Sequence, residues 1–390
     1  MYPHQAERLR AALDAHGLDA LVASSPENVR YLTGFVSLTH AVHRTPQFAV
    51  HGRGGTALVV PAIDVAPVVA DRIEVDRVTC FGAPGVQLTD APGTEARRVR
   101  EIVGRRAASP ADALALALDA LGVAGGTVGV DESRIAPEAW RRLAERLAPR
   151  RVAPAAEPLA AARRIKGPYE IECLQRALGI AEEALDEVVQ ALRAGTTERE
   201  AAALFDAGVA RRGATPRPGV VALGASTSIP APWPGDRALR PGDLVRCDVG
   251  CASRGYRATV ARTAVLGAPS ARQDAVYGAL LSGLEAALDA IAPGVAAGAV
   301  FDRGVSTARA AGLSGWEPDH VGHGIGLEPR EPPDLARGVA TPLEVGEVLR
   351  VELVWIEPGW AGLGVAETVL VGRSGARVMN RSARGLVVLD

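Results

Sequence analysis

"DLVRCDVGCASRGYRATVART", residues 243–263, holds two runs of apolar residues on either side of Arg254 and Gly255. Each run reads as a strand, and the first carries Asp248 among valines and a cysteine. Strands of this kind can deliver acidic side chains to a metal ion. The second run, however, carries Thr259 and no acid. What the rest of the chain retains decides what such a site can do.

The composition is that of a folded protein. Of 390 residues, 48% are hydrophobic, and the length allows two domains of ordinary size. The formal charge is only −2, and Lys166 is the sole lysine among many arginines. Acids match the arginines, so there is no basic footprint for nucleic acid. No apolar run approaches the ~20 residues that a membrane span needs. The first residues lack a long apolar core behind a basic flank, so no signal peptide is expected and the protein is expected in the cytoplasm. Cys80, Cys173, Cys247 and Cys251 are too scattered for a disulfide framework and read as small core residues.

The first part of the chain alternates helix and strand signals. "HQAERLRAALDAHG" reads as an amphipathic helix stopped by Gly17, and "LDALVAS" as a buried strand. Ser25 and Pro26 have the character of an N-cap and a first helical residue. "FAVHGRGGTALVV" reads as two strands around a glycine turn, with "VTCFG" and "GTVGVDES" as further strands. Pro154, Pro158 and Pro168 bracket a boundary, which divides the chain into domains 1–157 and 158–390. A long helix begins near Tyr169, with apolar residues from Ile171 to Leu192 at steps of three and four. Thr197 and Glu200 form a capping box for the next helix. After residue 219 strands dominate, apart from a helical interval at 271–312. The fold class is an α/β N-terminal domain plus an α+β C-terminal domain.

Asp248, His323, Glu352 and Glu367 lie on separate strand-like segments of the second domain. Both glutamates sit inside apolar runs, where a carboxylate needs a cation, a hydrogen-bond partner or a raised pKa. On residue chemistry alone, the four fit a shared site or separate groups paired with arginines. "GHGIG" lacks the Lys and Ser/Thr that follow a phosphate-binding loop.

"GLDALVASSPENVRYLTGF", "ARRIKGPYEIECLQRA", the stretch at 243–263, "GHGIGLE" and "GVAETVLV" occur in an order that resembles the creatinase, prolidase and aminopeptidase P family. The resemblance runs over nearly the whole chain. It implies a C-terminal "pita-bread" domain and homodimers in which one subunit's N-terminal domain helps close the partner's site. It also implies two divalent ions held by two aspartates, a histidine and two glutamates. Matched motif by motif, Asp248, His323, Glu352 and Glu367 fall on four of these ligands, and Thr259 falls on the bridging aspartate. Ala231 and Arg330 stand where hydrolytic members carry histidines, and Ala261 does not match the extra glutamate of creatinase.

A neutral hydroxyl does not replace a bridging carboxylate between dications. The expected cofactor is therefore either none or one Mn, Fe or Zn ion on His323, Glu352 and Glu367. Loss of the two imidazoles removes the side chains best suited to proton transfer near neutral pH. Asp248, Glu352, Glu367 and His323 are the catalytic candidates, and Arg330, Thr259, His320, His43 and Arg44 the substrate-binding ones. Arg330 is a partner for Glu352, for Glu367 or for a substrate carboxylate. The remaining negative charge favours a substrate ammonium or guanidinium against Asp248. The expected function is C–N bond hydrolysis in a small amino-acid-like or guanidino-like molecule. A metal-independent lyase, cyclase or isomerase and a non-catalytic binding protein are the alternatives.

Overall fold

The computed structural model describes residues 2–89 and 92–390, which form two compact units, Met1–Arg163 and Arg164–Asp390. In the first unit six strands make one sheet: β1 (Ala20–Ala23), β2 (Phe48–Gly52), β3 (Gly55–Pro61), β4 (Arg77–Phe81), β5 (Thr127–Val130) and β6 (Arg151–Pro154). Their order is β4-β3-β2-β1-β5-β6, and β2 alone runs against the others. From β1 the chain adds strands on one side and then returns to add β5 and β6 on the other. The direction of building therefore reverses between β1 and β5.

The helices of this unit are α1 (Pro3–His16), α2 (Pro26–Thr33), α3 (Leu38–His43), α4 (Val65–Ala70), α5 (Thr94–Gly104), α6 (Pro110–Ala120), α7 (Pro137–Leu147) and α8 (Ala156–Arg164), the last running one residue into the second unit. Local chemistry sets their ends. Gly17 takes a left-handed φ of 60° after α1, and the Ser25 side chain accepts a hydrogen bond from the Asn28 amide to start α2. A core of Val22, Val50, Val59, Leu114, Leu118 and Leu147 joins the sheet to α6 and α7. Just beyond β5, the buried Asp131 carboxylate accepts from the Ser25 hydroxyl and from Nδ2 of the Asn28 side chain, both at 2.7 Å. Burial alone raises its pKa, but these bonds and one from Ser133 outweigh burial and hold it below the usual value.

The second unit holds α9 (Pro168–Ala191), α10 (Glu198–Arg211), α11 (Ala271–Ala290) and α12 (Ala297–Ala310) around a nine-stranded sheet. Its strands are β7 (Thr215–Leu223), β8 (Leu244–Ser253), β9 (Tyr256–Leu266), β10 (His320–Gly324), β11 (Glu331–Ala336), β12 (Val348–Glu357), β13 (Ala361–Gly372), β14 (Gly375–Val378) and β15 (Val387–Leu389). The main order is β11-β10-β12-β13-β9-β8-β7, with antiparallel neighbours throughout. The helix expected near Tyr169 begins at Pro168, where the Glu170 carboxylate accepts from the Gly167 amide at 2.9 Å. The helical interval after residue 270 divides at Pro293 and Gly294, where Gly294 has a φ of 85°. Leu284, Phe301, Val351, Leu353 and Val369 belong to the core between α11, α12 and one face of the sheet. The four cysteines are buried, as expected, and burial pushes the Cys247 and Cys251 thiols up to about 12. No helix among the described residues is long and apolar enough to cross a membrane.

Candidate active site

Strand register builds the site. Asp248 on β8 pairs with Ala261 on β9, Ala261 with Ala366 on β13, and Ala366 with Glu352 on β12. Successive strand residues point to opposite faces, so these four share one face of the sheet. Arg350, two residues before Glu352, projects from the same face, and its other strand neighbour is His323 on β10. Close backbone contact secures that edge. A Cβ on Gly322 would come within 2.1 Å of the Arg350 carbonyl oxygen, and one on Gly324 within 2.5 Å of that of Pro332. Gly322 and Gly324 of "GHGIG" therefore serve strand packing.

The Arg350 guanidinium occupies the centre of this face. Its Nη2 donates to Asp248 Oδ2 at 2.8 Å and to Glu352 Oε2 at 2.7 Å, and its Nε donates to Glu352 Oε2 at 2.9 Å. Its Nη1 donates to the hydroxyl of Thr259. The Arg350 side chain is only 5% exposed, whereas that of Asp248 is 31% exposed and opens the site to solvent. Burial disfavours the guanidinium charge, but Asp248 and Glu352 outweigh it and raise the pKa of Arg350. Burial likewise pushes Glu352 up, but Arg350, then His320 and His323, reverse this and hold it well below the carboxylate range.

Two imidazoles flank Glu352. His320 Nε2 lies 3.2 Å from Glu352 Oε1, and its Nδ1 lies 2.9 Å from Asp319 Oδ1. The Glu352 contact, countered by partial burial, raises the pKa of His320. His323 Nδ1 lies 2.8 Å from the Gly324 carbonyl oxygen, which can only accept, so Nδ1 carries the hydrogen. The neutral ring then leaves Nε2 as a bare acceptor, 3.8 Å from Glu352 Oε1. Burial lowers the pKa of His323 against smaller opposing effects from Gly324 and Glu352.

Several expected partners lie elsewhere. Glu367 pairs with Val351, on the opposite face of the sheet from Asp248 and Glu352. Its side chain is 1% exposed and meets Arg262 Nη2 at 2.9 Å. Burial raises the Glu367 pKa, with Arg262 as the main opposing influence. Arg330 does not pair with Glu352 or Glu367; its Nε bonds Asp334 at 2.9 Å near the surface. Tyr256 supports its strand, donating from its hydroxyl to Glu170 at 2.9 Å. In the first unit, His43 is exposed and Arg44 lines a cavity of that unit.

The donors do not fit a pair of divalent ions. Thr259 and Ala366 occupy face positions where carboxylates would be needed, and a guanidinium already fills the space between Asp248 and Glu352. Nor do His323, Glu352 and Glu367 converge, because Glu367 faces away. Among the described residues no group of three or more His, Cys, Asp or Glu side chains is placed to hold a metal ion. The cation expected from a substrate against Asp248 is also present within the chain. Arg350 is the residue that the sequence reading missed. Its signal is the spacing in "VLRVELVW", where a cation two residues before an acid on a strand must share that acid's face.

A model of the creatinase/prolidase N-terminal domain matches residues 5–165, and one of metallopeptidase family M24 matches residues 172–373. An uncharacterized peptidase of Staphylococcus saprophyticus is 24% identical over 371 residues, 95% of this chain and 97% of its own. The Xaa-Pro dipeptidase of Pyrococcus furiosus is 29% identical over 226 residues, which are 57% of this chain and 65% of that protein. Among solved structures, an Xaa-Pro dipeptidase from Bacillus anthracis superposes with a TM-score of 0.83 at 22% identity, covering 99% of both chains. The prolidase from Pyrococcus horikoshii gives 0.81 at 22% identity, covering 98% of this chain and 99% of that one. These likenesses confirm the expected α/β domain followed by a pita-bread domain, and the chain belongs to metallopeptidase family M24, with an N-terminal domain of the creatinase/prolidase type.

Proposed function

We propose that this protein cleaves a C–N bond of a small amino-acid-like molecule by hydrolysis, with Arg350 where its relatives' chemistry would need metal ions. The observation that carries this reading is the Arg350 guanidinium between Asp248, Thr259 and Glu352. All three contacts are internal, so Arg350 serves to fix the two carboxylates and neutralise much of their charge. The reacting groups are the imidazoles. His323 Nε2, the bare acceptor, takes a proton from water as the water oxygen adds to the carbon of the C–N bond. His320, donating through Nε2 toward Glu352, supplies a proton to the departing nitrogen. Asp248 retains enough exposure to receive an ammonium or guanidinium end of the substrate beside Arg350.

The test is a screen of amide, ureido and guanidino derivatives of amino acids by mass spectrometry, after exhaustive treatment with a chelator. Turnover that survives chelation and falls by about 10²-fold or more in His323→Ala is expected. Xaa-Pro dipeptides with added manganese should show no turnover near the ~1–10³ s⁻¹ usual for enzymes. Activity that appears only with manganese would overturn the reading.

A further inference from the structure

We infer that the substrate is a free amino acid that sets its carboxylate on Arg246 and its ammonium on Asp248. The reacting C–N bond then lies further out, in an amide, ureido or guanidino group of its side chain. The reacting bond rests on the hydrolysis proposed above; the carboxylate subsite stands on Arg246 and the strand register.

Register sets the three positions in order. Arg246 and Asp248 are alternate residues of β8, so their side chains leave the same face from points about 6.8 Å apart. Across β9, Arg246 pairs with Thr263, Asp248 with Ala261 and Gly250 with Thr259. The row of Asp248 continues through Ala366 to Glu352. The row of Thr259 continues to Arg350, whose partner on β10 is His323. Arg246 therefore lies on one side of the Asp248 row, and His323 on the other.

Arg246 lacks a counter-charge. It is 4% exposed, and its Nε donates to the Thr227 carbonyl oxygen at 3.2 Å. Its Nη2 donates to the carbonyl oxygens of Ile229 and Pro230, at 2.5 and 3.1 Å. The other buried arginines described in this unit, Arg262 and Arg350, each meet a carboxylate, but Arg246 bonds none. A buried guanidinium served only by neutral carbonyls calls for an anion. With the Nε–Nη2 edge turned to the carbonyls, Nη1 is left at the far corner of the planar group. It makes no bond within the chain and is not sealed off by it.

A ligand carboxylate at Nη1 supplies the missing charge. Two acids, Asp248 and Glu352, then stand with two arginines, a balance that suits a ligand carrying both signs. From Arg246 to His323, such a ligand presents a carboxylate, an ammonium and then the carbon to be attacked. A dipeptide has its peptide bond between its charged ends and does not match this order. An amino acid with a C–N bond in its side chain does.

Calorimetric titration tests the subsite without any need for turnover. L-norvaline should bind with a Kd at or below ~1 mM. Its isomer 5-aminopentanoate, which carries its charges at opposite ends, and butylamine, which lacks the carboxylate, should bind about tenfold more weakly. Arg246→Gln should weaken norvaline to the level of butylamine and leave butylamine unchanged, whereas Arg246→Lys should keep part of the preference. Norvaline binding no tighter than butylamine or 5-aminopentanoate in the unmodified protein would overturn the inference, as would an equal loss of all three ligands in Arg246→Gln. Preference for norvaline without turnover of any amide, ureido or guanidino derivative would remove the hydrolytic reading and leave the subsite standing. Turnover of those derivatives without that preference would do the opposite.

Discussion

Nη2 of Arg350 lies 2.8 Å from Oδ2 of Asp248, joining residues 102 positions apart in the chain across the middle strands of the sheet. The same nitrogen reaches Glu352 at 2.7 Å, so one guanidinium neutralises an acid from each of two strands. Removing one member of a buried ion pair leaves the other uncompensated and typically costs about 3–5 kcal/mol. Arg350→Met is expected to lower stability by an amount in that range, measured by urea unfolding. Adding Asp248→Asn should recover part of the loss, because one stranded carboxylate is then removed. A single variant as stable as the parent would show that the pairing is not what the contacts indicate.

The same geometry bears on metal. With Thr259 and Ala366 on the site face and Arg350 at its centre, chelator treatment is expected to leave the melting temperature unchanged. The triple variant Thr259→Asp, Ala366→Glu and Arg350→Thr places two carboxylates on the site face and clears the guanidinium. It should raise divalent-metal stoichiometry, read by plasma mass spectrometry after dialysis against manganese. Two tightly held ions in the unmodified protein would contradict the arrangement.

His320 and His323 are expected to titrate on opposite sides of the ordinary histidine value of 6.5. His320, raised by its contact with Glu352, gives stability that is complete below pH 6.5 and is lost as pH rises through its higher folded value. His323, lowered by burial, gives stability present above pH 6.5 that is lost as pH falls through its lower folded value. Proton NMR of the imidazoles, assigned with His320→Gln and His323→Gln, should show this order. The reverse order would exclude the hydrogen-bonding scheme used for the two rings.

Val36, Leu38 and Val42 are 57%, 77% and 63% exposed within a seven-residue span. Exposed apolar patches of this kind mark association surfaces, and the family resemblance implies a homodimer to which the N-terminal domain contributes. Light scattering at micromolar concentration is expected to report a dimer. Leu38→Asp with Val42→Asp should shift the mass toward the monomer. A stable monomer of the unmodified protein would be the opposing result.

Order of motifs, periodicity and capping residues carry the fold, because they act over a few neighbouring residues. Gly17, Ser25, Pro168 and the Thr197–Glu200 box lie where the structure starts or stops its helices. Matched to the family's motifs, Thr259 also signals that a bridging acid is missing. Tertiary pairing decided the rest. Glu367 lies one residue out of phase with Glu352's partner Ala366, and in a strand one residue of phase moves a side chain to the other face. That single step removes a carboxylate from the site and gives it to Arg262. Arg350 looks like one more arginine in an arginine-rich chain until β12 is set between β10 and β13, which brings it against Asp248 and Thr259. Local sequence determined the strands; their register decided which charges share a face, because pairing across the sheet depends on residues that are distant in the chain.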